Sequence, residues 1–391
     1  MERLILHIDV NSAYLSWTAV DLLEKGETVD LREIPAIIGG DIASRHGIVL
    51  AKSLPAKAYG IRTGEPVSHA RSKCPSLTSV PPDRTLYARR SRELMELLGT
   101  FCPCIEQVSI DECFMDFTEY QTRYDSPIAA ASLIKDTIYH TFGFTVNIGI
   151  STNRLLAKMA SDFEKPNKVH TLFPQEIRTK MWPLPVSELY MVGKSSAAAL
   201  KKLDIHTIGD LALMDRQIVT SHMKSHGQLI WEYANGIDNT PVLTEAADAK
   251  CVGNSTTLPR DLTTRQEALP ILLSLSSQVA GRLKRHGLLA KMVSVELKYA
   301  TFVKVSHQMQ LPQATCDGKK LYEAACRLFD ELWSREPIRL LGVRTSKLAE
   351  AEEPVQMNLF ELPRTQKEIR ADRTLEALQE RFGQHVIKKG W

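Results

Sequence analysis

The chain has 391 residues, too many for one ordinary hydrophobic core, so about two to four domains are expected. Hydrophobic residues at 43% and charged residues at 24% match a folded globular composition and exclude a disordered or fibrous chain. No segment approaches the ~18 uninterrupted apolar residues of a membrane helix, and Met1-Glu2-Arg3 does not open a signal peptide. A cytoplasmic protein with no membrane partner is expected.

In chain order, His7-Ile8-Asp9-Val10-Asn11-Ser12-Ala13-Tyr14 places Asp9 at the end of a short apolar run that reads as a strand. Apolar residues then recur at helical spacing until Glu24-Lys25-Gly26; Asn11 or Ser12 can cap this helix and Gly26 can end it. The turn between strand and helix offers free backbone N–H groups, a natural cradle for phosphate. Residues 31–75 hold short strands and a basic, glycine-containing segment, and a helix is predicted over Tyr87–Leu98. A second acidic strand follows at Ser109-Ile110-Asp111-Glu112-Cys113-Phe114-Met115-Asp116, then a helix near 127–141 and a strand near 144–150.

If the two acidic strands pair in one sheet, Asp9, Asp111 and Glu112 converge. Three carboxylates that close repel unless divalent cations sit between them, and hard oxygen ligands suit Mg²⁺. Two such cations, typically ~3.5–4 Å apart, can activate an attacking oxygen and stabilise a leaving one. That is phosphoryl-transfer chemistry. Ser109 is expected only to hydrogen-bond locally.

From Phe173 to about Ile237 the pattern is helical, and residues 238–250 read as a polar linker. Residues 251–348 alternate strands (Val293–Tyr299, Thr301–Met309) with helices (Gln266–Arg285, Lys320–Trp333), an order that fits a four-stranded sheet with two helices. Between Pro241 and Lys347 there are sixteen Lys or Arg against ten Asp or Glu, although the net charge of the whole chain is only +3. A basic module beside an acidic one suits a protein that grips a phosphate backbone while holding cations. The seven cysteines are scattered, and Cys102-Pro103-Cys104 lacks a partner pair at zinc spacing, so reduced, buried thiols are expected.

These strings resemble the Y-family of translesion DNA polymerases. That family opens with an apolar strand ending in Asp and an aromatic five residues later, and carries a Ser-Ile-Asp-Glu motif followed by an apolar-Asp pair; both stand here. Gly149-Ile150-Ser151-Thr152-Asn153-Arg154 through Asp162, then Lys165-Pro166-Asn167, look like its final palm strand, helix and phosphate-contacting lysine. Val192-Gly193-Lys194 and Leu203-Asp204-Ile205-His206-Thr207-Ile208-Gly209 are similar to its helix-hairpin-helix, and Pro337–Val343 resembles the closing strand of its extra DNA-binding domain.

The resemblance implies an α+β multidomain chain with a right-hand polymerase fold. The palm would be 1–30 and 76–166, the fingers 31–75, the helical thumb 167–237, the linker 238–250 and the sheet-and-two-helix little finger 251–348. It implies two Mg²⁺ held by Asp9, Asp111, Glu112 and the Val10 carbonyl. Tyr14 would be the steric gate under the nucleotide sugar, with Lys165, Lys57, Ser12 and Ala13 at the nucleotide and Gly193 and Lys194 at DNA. The partners would be primer-template DNA and deoxynucleoside triphosphates, and the chain a monomer without proofreading.

Two departures stand out. The fingers' usual Tyr-x-x-Arg is replaced by Leu54 and Lys57, leaving Ser53 and Lys52 as substitutes, and Met191 takes the place of the first glycine of the thumb hairpin. In the 349–391 tail, Gln356-Met357-Asn358-Leu359-Phe360 resembles the pentapeptide that docks bacterial polymerases on the sliding clamp, with Gln356, Met357, Leu359 and Phe360 as contacts. Ala371–Phe382 reads as an amphipathic helix. A catalytically silent paralogue that binds DNA and a nucleotide cyclase are the alternative readings; the thumb-like and little-finger-like strings disfavour the cyclase, which has no duplex to grip.

Overall fold

The computed structural model describes residues 2–40, 47–245 and 248–350, together with Thr374. The clamp-like pentapeptide and the tail helix read over 371–382 lie outside the described residues, apart from Thr374. The chain divides into two compact units, Met1–Asp248 and Ala249–Trp391, and the division falls within the segment read as a linker.

In the first unit the elements run β1 (Ile5–Val10), α1 (Ala13–Glu24), β2 (Ala36–Gly39), β3 (Val49–Lys52), α2 (Leu54–Ala58), α3 (Val67–Lys73) and β4 (Thr78–Val80). They continue with α4 (Arg84–Phe101), β5 (Ile105–Gln107), β6 (Glu112–Asp116), α5 (Pro127–Phe142), β7 (Val146–Ser151), α6 (Arg154–Ser161) and β8 (Val169–Thr171). Helices α7 (Lys194–Lys201), α8 (Ile208–Leu213) and α9 (Arg216–Ala234) follow.

A five-stranded sheet has the order β5-β6-β1-β7-β8. β1 is buried on both faces because both are covered, one lined by Leu6, Ile8 and Val10 and the other by Ile5, His7 and Asp9. Leu6, Ile8 and Val10 pack with Trp17 of α1, Leu94 and Leu98 of α4 and Ile134 and Ile138 of α5, while Ile5 meets Phe114 and Ala157 of α6 on the other face. β1 is antiparallel to β6 and to β7, with Asp9 opposite Glu112 on one side and opposite Asn147 on the other. Residues directly opposite across a sheet share a face. Glu112, Asp9 and Asn147 therefore form one row across three strands.

A smaller three-stranded sheet, β3-β2-β4, has its own core of Ile37, Val49, Ala56, Ile61 and Val67, and draws its third strand, Thr78–Val80, from beyond residue 75. The helices after Phe173 enclose Leu200, Ile208, Leu211 and Ile230, and the long α9 is interrupted at Lys224. Met191 adopts φ +71°, the left-handed backbone that favours glycine, so the hairpin turn survives without its glycine. The segment read as a polar linker is partly anchored: Leu155 N–H donates to Asp238 at 3.0 Å and Leu243 N–H to Glu106 at 2.8 Å.

The second unit consists of β9 (Cys251–Leu262), α10 (Arg265–Arg285), β10 (Leu288–Tyr299), β11 (Lys304–Thr315), α11 (Gly318–Leu332) and β12 (Ile338–Glu350). They form the four-stranded sheet with two helices that the alternation predicts, its strands in the order β11-β10-β12-β9, and α10 and α11 bury Leu272, Leu275, Leu321 and Phe329 against Val293, Val295 and Leu341. α10 starts with a reciprocal Thr264–Glu267 capping box. Strand boundaries differ from the sequence reading: β10 begins at Leu288, ahead of Val293, and β11 is shifted further along the chain. Residues 301–303 form the hairpin turn, with Phe302 at φ +68°, and the strand runs on through Pro312, which the ladder tolerates because β11 is an edge.

None of the seven cysteines is in a disulfide, but only Cys74, Cys102 and Cys113 are buried; Cys104 is exposed and the others lie between. The expectation of buried thiols therefore holds for three of the seven.

Candidate active site

The register of β1 and β6 brings Asp9 and Glu112 side by side, and the N–H of Val10 donates to the Asp111 carbonyl at 3.1 Å, closing the ladder at the acidic end. Two lysines reach this edge. Lys158, on α6, lies 2.8 Å from Glu112, 3.8 Å from Asp9 and 3.4 Å from Asp162. Lys165, on the loop after α6, pairs with Asp9 and stands 2.8 Å from Asp162.

Asp111 is held locally. Its carboxylate accepts the Ser109 hydroxyl at 2.7 Å, the local bond read for that serine, and among the described residues no three acidic, histidine or cysteine side chains form a ready cation cage. The strands thus pair Asp9 with Glu112, while Asp111, bonded to its own serine, lines the same cavity as Asp9.

Burial pushes the Asp9 carboxyl up, and the ammonium groups of Lys165 and Lys158 pull it back. Burial alone would lower both lysines. The neighbouring carboxylates outweigh it, Asp9 first, and hold each ammonium above the ordinary lysine value. An all-oxygen pair that already attracts a positive charge between its members fits a hard divalent cation such as Mg²⁺.

His7, two residues earlier in β1, is buried, and its Nδ1 lies 2.8 Å from Ser161 Oγ. Ser161 spends its proton on the Lys158 carbonyl at 2.8 Å, so His7 donates. Burial, and then the cations of Lys158, Lys165 and Arg154, hold its pKa well below the ordinary value. A neutral imidazole results.

Beside the acidic pair opens a cavity of about 520 Å³. Its lining includes Asp9, Asp111, Ser12, Tyr14, Lys57 and Lys165. Val10 and Ala13 line it too and are buried, while Ser12 is exposed with a left-handed backbone. Ser12 makes no side-chain cap, and Asn11 turns inward instead of capping α1. Gly26 does follow the helix end, at φ +96°. The Tyr14 ring is half-buried at the cavity and stacks on Tyr87 with centroids 4.4 Å apart.

The fingers-like side of the cavity carries Lys52, Ser53, Leu54 and Lys57. Ser53 is spent on structure: it caps α2 through Ala56 N–H, accepts Ala36 N–H and donates to the Ile34 carbonyl. It has no hydroxyl left for a ligand, whereas Lys52 remains at the cavity wall, with a pKa lowered by burial and by Lys57. Gly193 and Lys194 lie apart from the cavity, at the exposed start of α7.

Two groups escaped the sequence reading. Lys158 carried a usable signal, its i,i+4 spacing to Asp162 just past the end of a short helix. Asn147 carried none, because its relation to Asp9 exists only across paired strands.

Comparison with known proteins agrees with this architecture. Residues 8–162 match the impB/mucB/samB family, residues 174–205 the helix-hairpin-helix motif of that group and residues 249–359 its C-terminal domain. The chain is 48% identical to DNA polymerase IV of Clostridium acetobutylicum over 390 residues, covering 100% of this chain and 98% of that protein. It is 34% identical to DNA polymerase IV 1 of Bacillus subtilis, covering 99% and 92%. A solved chimera of the Y-family DNA polymerases Dbh and Dpo4 superposes with a TM-score of 0.78 at 22% identity, over 89% of this chain and 99% of the chimera. The chain belongs to the impB/mucB/samB family and has the palm, fingers, thumb and little-finger fold of the Y-family DNA polymerases.

Proposed function

We propose that the chain is a template-directed DNA polymerase of the translesion type. The observation that carries this reading is a cavity walled by Asp9 and Asp111 together with Tyr14, Lys52, Lys57 and Lys165, with Glu112 paired to Asp9 across the strands beside it. An acidic pair beside a cationic pocket suits a triphosphate whose α-phosphate faces the acids and whose β- and γ-phosphates face the lysines.

In the reaction the primer 3′-oxygen forms a bond to the α-phosphorus, the bond from that phosphorus to the bridging oxygen breaks, and pyrophosphate leaves. Asp9, Asp111, Glu112 and the Val10 carbonyl would hold two Mg²⁺, with Asp111 turning from Ser109 to do so. Bound there, the cations would activate the attacking oxygen and offset charge on the leaving one. Lys165 and Lys57 meet the phosphates as point charges. Ser12 and Ala13 present the first turn of α1, where unpaired N–H groups favour anions. Tyr14 packs under the sugar and leaves no room for a 2′-hydroxyl.

Gly193 and Lys194 contact the DNA backbone, and the basic excess of the second unit adds grip. We further propose a cytoplasmic monomer that docks on the sliding clamp through Gln356, Met357, Leu359 and Phe360. The decisive experiment is primer extension with Mg²⁺ on undamaged and lesion-bearing templates. Asp111→Asn and Glu112→Gln should each abolish extension while duplex affinity stays near that of the parent. Extension surviving at about a tenth of the parent rate, well above the loss expected on removing a ligand of the reacting centre, would remove these residues from the mechanism.

A further inference from the structure

Asn147 is fully buried directly opposite Asp9, and every hydrogen-bonding position of its amide is used. Its Nδ2 donates to the carbonyls of Ser161 at 3.1 Å and Glu164 at 2.7 Å. Its Oδ1 accepts from Asn11 Nδ2 at 3.1 Å and from the backbone N–H of Lys168 at 3.2 Å. Asn11 Oδ1 in turn accepts the N–H of Asn167 at 2.9 Å and the Thr145 hydroxyl at 3.0 Å. The two side chains thus grip the chain at 161, 164, 167 and 168, on both sides of Lys165.

These partners fix the orientation of both amides. Two carbonyls face Asn147 Nδ2, so that atom must be the NH₂ and its oxygen must face Asn11. Asn11 must then donate, and an aspartate there would set a carboxylate oxygen against an amide oxygen. Asparagine at residue 11 follows from the network.

We propose that Asn11 and Asn147 are positioning residues that hold the 161–168 segment so that the Lys165 ammonium stays over Asp9 and the cavity. The inference rests on the reading of Lys165 as a phosphate contact. A displacement of the order of 1 Å in such a group can cost up to about a hundredfold in rate.

The test is a cycle of Asn147→Ala and Asn11→Asp, each alone and combined with Lys165→Ala. Steady-state primer extension gives kcat and KM for nucleotide, and hydrogen exchange at the 163–168 segment reads the grip without using activity. Each asparagine variant should lower kcat/KM for nucleotide by about tenfold or more, chiefly through KM, and that loss should vanish in the Lys165→Ala background. Asn11→Asp should also deprotect the Asn167 and Lys168 amides while β7 keeps its protection. Thr145→Val, which removes one bond of the network, supplies a milder variant if the others fold poorly, and should give a smaller change in the same direction. Losses that add to that of Lys165→Ala, or unchanged exchange at 167 and 168, overturn the proposal. If Lys165→Ala alone leaves kcat/KM intact, the proposal falls because the reading of Lys165 has failed, and the cycle shows which.

Discussion

Substitution of Gly149 by alanine should damage both stability and chemistry. Gly149 lies in β7 under α6, and a Cβ there would stand 1.9 Å from the Ala157 carbonyl oxygen, 2.5 Å from the Ser161 nitrogen and 3.0 Å from the Ala160 Cβ. Carbon and carbonyl oxygen approach no closer than about 3.3 Å in ordinary contact, so helix and strand must separate by roughly 1.4 Å along that line. The two nearest atoms belong to helix backbone and cannot swing aside as a side chain would. Overpacking typically costs about 1–3 kcal/mol, and the upper end is expected here. With an m-value of about 3 kcal/mol per molar urea, the midpoint should fall by about 1 M.

The same movement lifts Lys158 from Glu112, where the bond is 2.8 Å, so activity per folded molecule should fall as well. Urea unfolding followed by circular dichroism gives the first quantity, and primer extension well below the transition gives the second. Gly99 in α4 provides the control, since a Cβ there meets nothing within 4 Å. Gly99→Ala should stabilise by about 0.5–1 kcal/mol through backbone entropy. A Gly149→Ala protein with the parent midpoint would refute the claim that this glycine permits the close approach of α6.

Gly193→Ala should leave the midpoint unchanged, because nothing lies within 4 Å of its Cβ position, yet weaken duplex binding if DNA backbone approaches there; a footprinting titration reads the affinity. Tyr14→Ala should raise the ratio of ribonucleotide to deoxynucleotide incorporation, and an unchanged ratio in an active variant would make the Tyr14–Tyr87 stack purely structural. Burial pushes the Cys102 thiol up to about 11 and that of Cys113 up to about 12, against 9.0 for the free group. The unfolded chain then loses these protons first, so the stabilisation is complete below about pH 9 and is lost as pH rises through 11 and 12, by about 1.4 kcal/mol per pH unit for each thiol. Urea midpoints at pH 8.5, 9.5 and 10.5 under reducing conditions should decline accordingly, and Cys113→Ala should flatten the decline; equal slopes would place the alkaline sensitivity elsewhere.

What the sequence disclosed was local in origin. Asp9 and Glu112 could be read because Asp9 lies near the end of one apolar run and Glu112 opens another, and once these antiparallel strands pair the acids meet. The α4, α5 and α10 helices were legible for the same reason, since spacing and caps lie within the segment itself. The hairpin at 301–303 was missed because Thr301 and Val303 favour strands, and a left-handed Phe302 is set by strand pairing on either side. Ser53 looked free to bind phosphate until the fold wrapped Ile34 and Ala36 around it.

The acidic row illustrates how far local reading reaches. Considered alone, Asp9, Asp111 and Glu112 demand compensating cations, and divalent metals are one source of them. The fold supplies another: α6 and its following loop return two ammonium groups to the same edge, so Asp9 and Glu112 are neutralised by the chain itself. Any cation that binds there competes with Lys158, and the gain from ligation is reduced by the ion pair it displaces. Lys158→Met should accordingly raise affinity for Mn²⁺, measured directly by paramagnetic resonance, while lowering the urea midpoint of the metal-free protein. A Mn²⁺ affinity that falls together with stability would mean that Lys158 organises the carboxylates for the metal and does not stand in its place.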